Sequence, residues 1–193
     1  FASTLTPLAG AYVIGPTGNY SGFDTAATDL MLRGVSAPVT FEVQSGTYKE
    51  KFELQQIPGT NSKDTILFVS QSGIASDVIL TDSSLSTSNY LVYLQGAKYI
   101  TFKKITFDTD HNGSYSQQIY LTSTSKRINF INNVFNGKGG NQTSSYHGLI
   151  SSYNSPIDSV LIKGNVFNNG SYGVYFTGTN SLDAKHIRVL NNT

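Results

Sequence analysis

The chain has 193 residues, of which 38% are apolar and only 13% charged, with a net charge of +1 and no cysteine. That length and apolar content exclude intrinsic disorder, and the missing cysteine excludes disulfides and thiolate metal sites. The near-neutral balance argues against nucleic acid as a partner, and no apolar run reaches the roughly 18 residues of a membrane span.

The first predicted element lies in "SGFDTAATDLMLRG". Ser21 is the expected N-cap, with Asp24 in the capping-box place. Phe23, Ala26, Ala27, Leu30 and Met31 recur at helical spacing, and Gly34 supplies the stop. The spacing predicts a helix over about 22–33. Its stripe reads as core, laid over the first coils of whatever follows.

From residue 90 the chain repeats. "YITFKKITFD" from Tyr99, "RINFINNVFN" from Arg127, "SVLIKGNVFN" from Ser159 and "HIRVLNNT" from His186 align without gaps, their starts 28, 32 and 27 residues apart. Ile100, Ile128, Val160 and Ile187 share a column, as do Phe102, Phe130, Ile162 and Val189. A third column holds Phe107, Phe135 and Phe167. A fourth holds Asn133, Asn165 and Asn192, with Ile105 in the first copy. Apolar columns alternate with polar ones, which is the period of half-buried strands. A second strand precedes each copy: "YLVYL" from Tyr90, "QQIYL" from Gln117, "HGLIS" from His147 and "YGVYF" from Tyr172. Val92, Ile119, Leu149 and Val174 are its expected inward column. The variation in length falls in Gly/Ser/Asn loops.

Short strands in repeats of this size predict an all-β fold, a right-handed parallel β-helix whose coils stack at about 4.8 Å. No coil buries its apolar side alone, so like stacks on like. Phe107, Phe135 and Phe167 then fill one core column. Asn133, Asn165 and Asn192 are expected at a corner that requires a left-handed backbone and a hydrogen bond between copies. The whole chain reads as one domain, with a cap over 1–38 and coils over 39–193. The repeat breaks off at "VLNNT", so further coils or a protein partner are expected to cover that open end.

"GNYSGFDTAATDL" followed by "VTFEVQSGTYKEKFEL" resembles the N-terminal opening of pectin methylesterases, through Tyr20, Phe23, Ala27, Val43, Gly46, Tyr48 and Glu50. "GAYVIGPTGNY" and "GAKYITFKKITF" are similar to the large β-helix surface proteins exported by Bacteroidetes. The resemblance implies the pectin-lyase-like fold and an extracellular setting, secreted or at the cell surface. The esterase chemistry uses two aspartates, nucleophile and acid/base, with glutamines at the oxyanion. Gln117 matches one glutamine. Where Gln-Asp-Thr should follow, Gln142 and Thr143 stand with no aspartate between them, and Gly148 stands where the second aspartate belongs. No catalytic residue carries over.

Other chemistry is thin. Asp108 and Asp110 are the only close acidic pair and a weak calcium candidate, and the default is a solvated turn with no metal or other cofactor. The acids form no facing pair for glycoside hydrolysis. His147 and His186 lack aligned Asp or Ser partners, and His111 lies in a loop. Lys103 and Lys163 share a column near Arg127 and Arg188, a weakly basic stripe that could favour an acidic polysaccharide, with dispersed surface charge as the default. The outward column of the second strand holds Tyr93, Tyr120, Ile150 and Tyr175, a row that could stack against sugar rings. Together with Gln117, Tyr93, Tyr120 and Tyr175 form the candidate glycan-binding set. Gln117 nevertheless has the parity of the buried residues.

The function expected is a non-catalytic adhesin, stalk or polysaccharide-binding module of a larger exported protein. The alternatives are a carbohydrate-active enzyme with catalytic residues beyond 193, and a structural cargo or scaffold domain bound by an export or surface-assembly partner.

Overall fold

The computed structural model describes residues 5–83, 85–109, 114–179 and 181–193. The chain winds as a parallel β-solenoid with three faces. Face 1 stacks Leu8–Ile14, Val35–Val43, Ile66–Ser70, Lys98–Lys103, Lys126–Ile131, Asp158–Lys163 and Arg188–Leu190. Face 2 stacks Gly46–Lys49, Val78–Asp82, Thr106–Thr109, Val134–Asn136 and Val166–Asn168. Face 3 stacks Phe52–Leu54, Val92–Gln95, Ile119–Thr122, Gly148–Ser152 and Tyr172–Phe176. Each named strand pairs in parallel with the strand one coil away.

The register follows the sequence repeat. Ile100, Ile128 and Val160 are partners, and so are Phe102, Phe130 and Ile162. The rings stack where the columns meet. Phe41–Phe68, Phe68–Phe102 and Phe102–Phe130 have centroids 4.8, 5.2 and 5.7 Å apart on face 1. Phe107–Phe135 and Phe135–Phe167 are both 5.0 Å apart on face 2. Burying one such side chain stabilises the fold by about 1.5–3 kcal/mol, and the offset stack adds to that.

The asparagines form a buried ladder. Asn133 Oδ1 accepts from the Ile105 amide, Asn165 Oδ1 from the Asn133 amide, and Asn192 Oδ1 from the Asn165 amide, at 2.8–3.0 Å. Their Nδ2 groups donate to the carbonyls of Phe102, Phe130 and Ile162. The left-handed backbone expected at these residues lies one place earlier, at Lys104, Asn132, Gly164 and Asn191. The preceding residue makes the bend, which leaves the asparagine side chain free to turn inward and bond.

The N-terminal region differs from expectation in two ways. Leu8–Ile14 is already a face-1 strand, paired with Val35–Val43, so the segment before the helix belongs to the sheet. Its small residues hide the two-residue period. The pairing jumps from Leu8↔Val35 to Gly10↔Val39, a bulge that takes in Pro38, which has no amide to give a ladder. The helix itself runs Phe23–Arg33, with Gly22 as N-cap and Gly34 at φ 68° closing it through a bond from its amide to Leu30 O. Ser21 and Asp24 do not cap it. The Phe23 and Asp24 amides instead donate to the Glu50 carboxylate at 2.8 and 3.1 Å. Gly22 makes this approach possible, because a Cβ there would fall 2.5 Å from Glu50 Oε1. Phe23, Ala26, Ala27 and Leu30 are buried, and the Phe23 ring stacks on Phe52 at 5.5 Å, closing the first coils from the end.

A carboxylate on two free helix amides is a strong cap. Glu50→Ala is expected to lower stability by about 1 kcal/mol, with Glu50→Gln intermediate. Chemical denaturation of the three proteins checks this, and equal midpoints would contradict it.

Candidate functional site

The site is built on face 3. Tyr93 and Tyr120 are direct register partners, and their outward rings stack 5.4 Å apart at 12°. Thr122 Oγ1 donates to the Tyr93 hydroxyl at 3.1 Å. In the next coil the expected register is off by one residue. Ile119 pairs with Ile150, and Tyr120 with Ser151. Ile150 therefore belongs to the inward column, and Leu149, though buried, is outside it. The η-turn Ser145–His147 sets this phase, because it starts the strand one residue later than the aligned spacing implies. The row is then Tyr93, Tyr120, Ser151 and Tyr175. Tyr153 fills the missing ring. It lies 5.8 Å from Tyr120 and 5.2 Å from Tyr175, with its hydroxyl donating to Ser145 O at 2.7 Å.

Further tyrosines extend the row. The Tyr90 ring is 5.2 Å from Tyr93, and its hydroxyl donates to the Glu53 carboxylate. Tyr115 and Tyr146, 5.2 Å apart, come from loops. Together Tyr90, Tyr93, Tyr115, Tyr120, Tyr146 and Tyr153, with Ser86, Thr87, Asn89 and Gln117, line a cleft of about 350 Å³. Tyr172 and Tyr175 continue the aromatic row beyond it.

Gln117 reaches this cleft through a break in the strand. The Gln118 carbonyl accepts both the Leu91 and Val92 amides, at 2.8 and 2.9 Å, so one residue serves two in the adjacent coil. The corner turns Gln118 inward, where its Nε2 donates to Asn136 O at 2.6 Å, and leaves Gln117 on the cleft wall. Asn89 holds it there: Asn89 Oδ1 accepts the Gln117 amide at 2.9 Å, and Nδ2 donates to Tyr146 O at 3.1 Å. The Gln117 side chain is 3% exposed, and its Nε2 has no hydrogen-bond partner.

Among the described residues, those lining the cleft include no carboxylate, imidazole, amine or guanidinium. Burial, reinforced by neighbouring phenols, raises the pKa of Tyr120 and Tyr153, and burial plus the bond to Glu53 pushes Tyr90 up to about 12. These hydroxyls therefore stay protonated across the physiological range. The described lining offers phenol rings, neutral donors and a desolvated amide.

Both described histidines have partners that column alignment missed. His147 Nδ1 is 2.8 Å from Ser116 Oγ, and both side chains are buried behind the cleft wall. Burial, then the charge of Lys138, lowers the His147 pKa. This pair joins two coils, and neither residue is among those lining the cleft. His186 Nδ1 lies 2.6 Å from Asp158 Oδ1 on face 1. Asp110 and His111 lie outside the described residues, and among the described residues no three His, Asp or Glu side chains converge to hold a metal.

Of the residues that sequence reasoning singled out, the structure brings Tyr93, Tyr120 and Gln117 together in the cleft lining and places Tyr175 beyond it. Sequence reasoning missed Tyr90, Tyr115, Tyr146 and Tyr153, which reach the site from loops and strand ends where no column marks them. The available signal was the overall abundance of tyrosine, 12 in the chain.

No family model matches the chain, and no curated protein matches it. Among solved structures, a pectin methylesterase mutant in complex with hexasaccharide IV is similar at 14% sequence identity, with a TM-score of 0.47, over 91% of this chain and 56% of the other. The chain thus spans little more than half the length of that esterase.

Proposed function

We propose that this chain is a non-catalytic, extracellular glycan-binding module, with the tyrosine cleft of face 3 as its binding face. One observation carries the reading: a buried glutamine amide without a partner stands in the wall of a cleft built from six tyrosines. A buried donor left unpaired costs about 1–3 kcal/mol, which a ligand oxygen would recover. The rings supply apolar edges for contact with a sugar, and the phenols supply hydrogen bonds at the rim. The described lining residues are neutral phenols, hydroxyls and amides, which suit binding. Among the described residues no helix is long and apolar enough to cross a membrane.

The test is binding to a panel of polysaccharides, with product release followed in the same samples. Tyr120→Ala is expected to weaken binding roughly thirtyfold, as loss of a central aromatic anchor does. Tyr120→Phe should retain most of the affinity, and Gln117→Ala should cost about tenfold. Products from the wild-type chain would replace this reading with the enzymatic one. Equal affinity of wild type and Tyr120→Ala would remove the cleft as the binding face.

A further inference from the structure

Charge is unevenly spread over the solenoid. The face-1 segments 98–104, 126–132, 158–164 and 185–191 hold eight of the thirteen Lys and Arg residues and one acid, Asp158. The remainder of the chain carries eleven acids against five cations. Asp158 is engaged within the face: Lys126 Nζ lies 2.8 Å from its Oδ2, and His186 Nδ1 2.6 Å from its Oδ1. A chain of almost zero net charge thus presents one strongly basic side.

A repeated backbone irregularity shapes that side. Tyr99, Arg127, Ser159 and His186 all have φ between 54° and 60°. Strand pairing passes over the first three of them, running Lys98↔Lys126↔Asp158 and resuming at Ile100↔Ile128↔Val160. The register is the same on both sides of it, so no residue is inserted; the left-handed backbone at one position in each coil re-aims that side chain. Here it adds a second outward row beside Thr101, Asn129, Leu161 and Arg188. The two rows bound a groove of about 530 Å³. From Ser62 and Thr65 to His186 and Arg188 it crosses five coils, or roughly 19 Å at the spacing of adjacent strands.

We propose that this groove binds an acidic polysaccharide, carboxylated or sulfated, with Arg127 and Arg188 as its anion-pairing residues. Both guanidinium groups are exposed and line the groove from different coils, so they can meet charges that recur along a linear polymer. Thr101, Asn129 and Ser159 lie between them and offer partners for sugar hydroxyls. Nucleic acid fits less well. The described groove residues supply two aromatic rings, Tyr99, with the Arg127 guanidinium 6.0 Å from its centroid, and His186, too few for a row of base-stacking platforms. This site is independent of the tyrosine cleft, which lies on another face and has no cation among its described lining residues.

The experiment measures binding of the chain to polygalacturonate, a sulfated glycan, an uncharged glycan and single-stranded DNA, at low and high salt. The wild-type chain is expected to bind the two acidic glycans at low salt and to lose them as salt rises. The double variant Arg127→Asn, Arg188→Gln should weaken that binding about tenfold or more. Asparagine is chosen at 127 because it tolerates the left-handed backbone. Tyr120→Ala should leave it unchanged, which separates this groove from the cleft. No binding of either acidic glycan, or undiminished binding by the double variant, would overturn the proposal. DNA binding as tight as that of the glycans would also overturn it, showing polyelectrolyte attraction without a carbohydrate site.

Discussion

Phe130→Ala is expected to be the most destabilising single substitution in the coils, costing about 3–5 kcal/mol. Phe130 is fully buried, stacks on Phe102 at 5.7 Å and meets the edge of Phe135 at 6.2 Å. Truncation removes the apolar surface of a ring and leaves a void between two coils. The neighbours cannot collapse into it, because each coil's height is fixed by its ladder bonds on three faces. For a chain of this length the loss corresponds to a fall in melting temperature of roughly 10 °C or more. Phe130→Leu keeps most of the volume and should cost well under half as much. Thermal and urea unfolding of the three proteins checks the order. A Phe130→Ala chain within 1 kcal/mol of wild type would mean that the column is not packed as described.

The second large effect is expected at Asn165. Its Nδ2 donates to Phe130 O at 3.0 Å and to Asn192 Oδ1 at 2.9 Å, while its Oδ1 accepts from the Asn133 amide at 2.8 Å and from Asn133 Nδ2 at 3.1 Å. The side chain is 1% exposed. Alanine there strands the Asn133 amide and the Phe130 carbonyl away from water, at about 1–3 kcal/mol for each orphaned group. A loss of about 3 kcal/mol follows. Asn192 occupies the same column but is partly exposed, so water can replace its bonds. Asn192→Ala should therefore cost clearly less than Asn165→Ala. Equal costs would show that the ladder contributes through backbone conformation at the corner, and not through its side-chain bonds.

These two columns were legible because a stacked solenoid writes its packing into the chain. The neighbour of Phe135 is Phe107 below and Phe167 above, so one residue type must recur at one coil position. The cleft was legible only in part. Tyr93 and Tyr120 follow the same rule, but the third coil enters its strand through a longer loop and a short turn, and the phase slipped by one residue. With side chains alternating between faces, one residue of slip exchanges core for surface. Ile150 and Ser151 changed places for that reason.

By itself, then, the sequence determined the repeat, the inward columns of faces 1 and 2, and the helix over the first coils. Each of these rests on residues that are periodic along the chain or contiguous in it. Tertiary structure alone decided what meets between coils. It placed Glu50 at the helix start, Ser116 against His147, and Asn89 against both Gln117 and Tyr146. It brought Tyr115, Tyr146 and Tyr153 to the cleft and gathered Arg127 and Arg188 along one groove. Loop length and local bulges set those meetings, and neither leaves a periodic trace. The core is therefore readable from the chain, while the surface that contacts a ligand is decided when the coils stack.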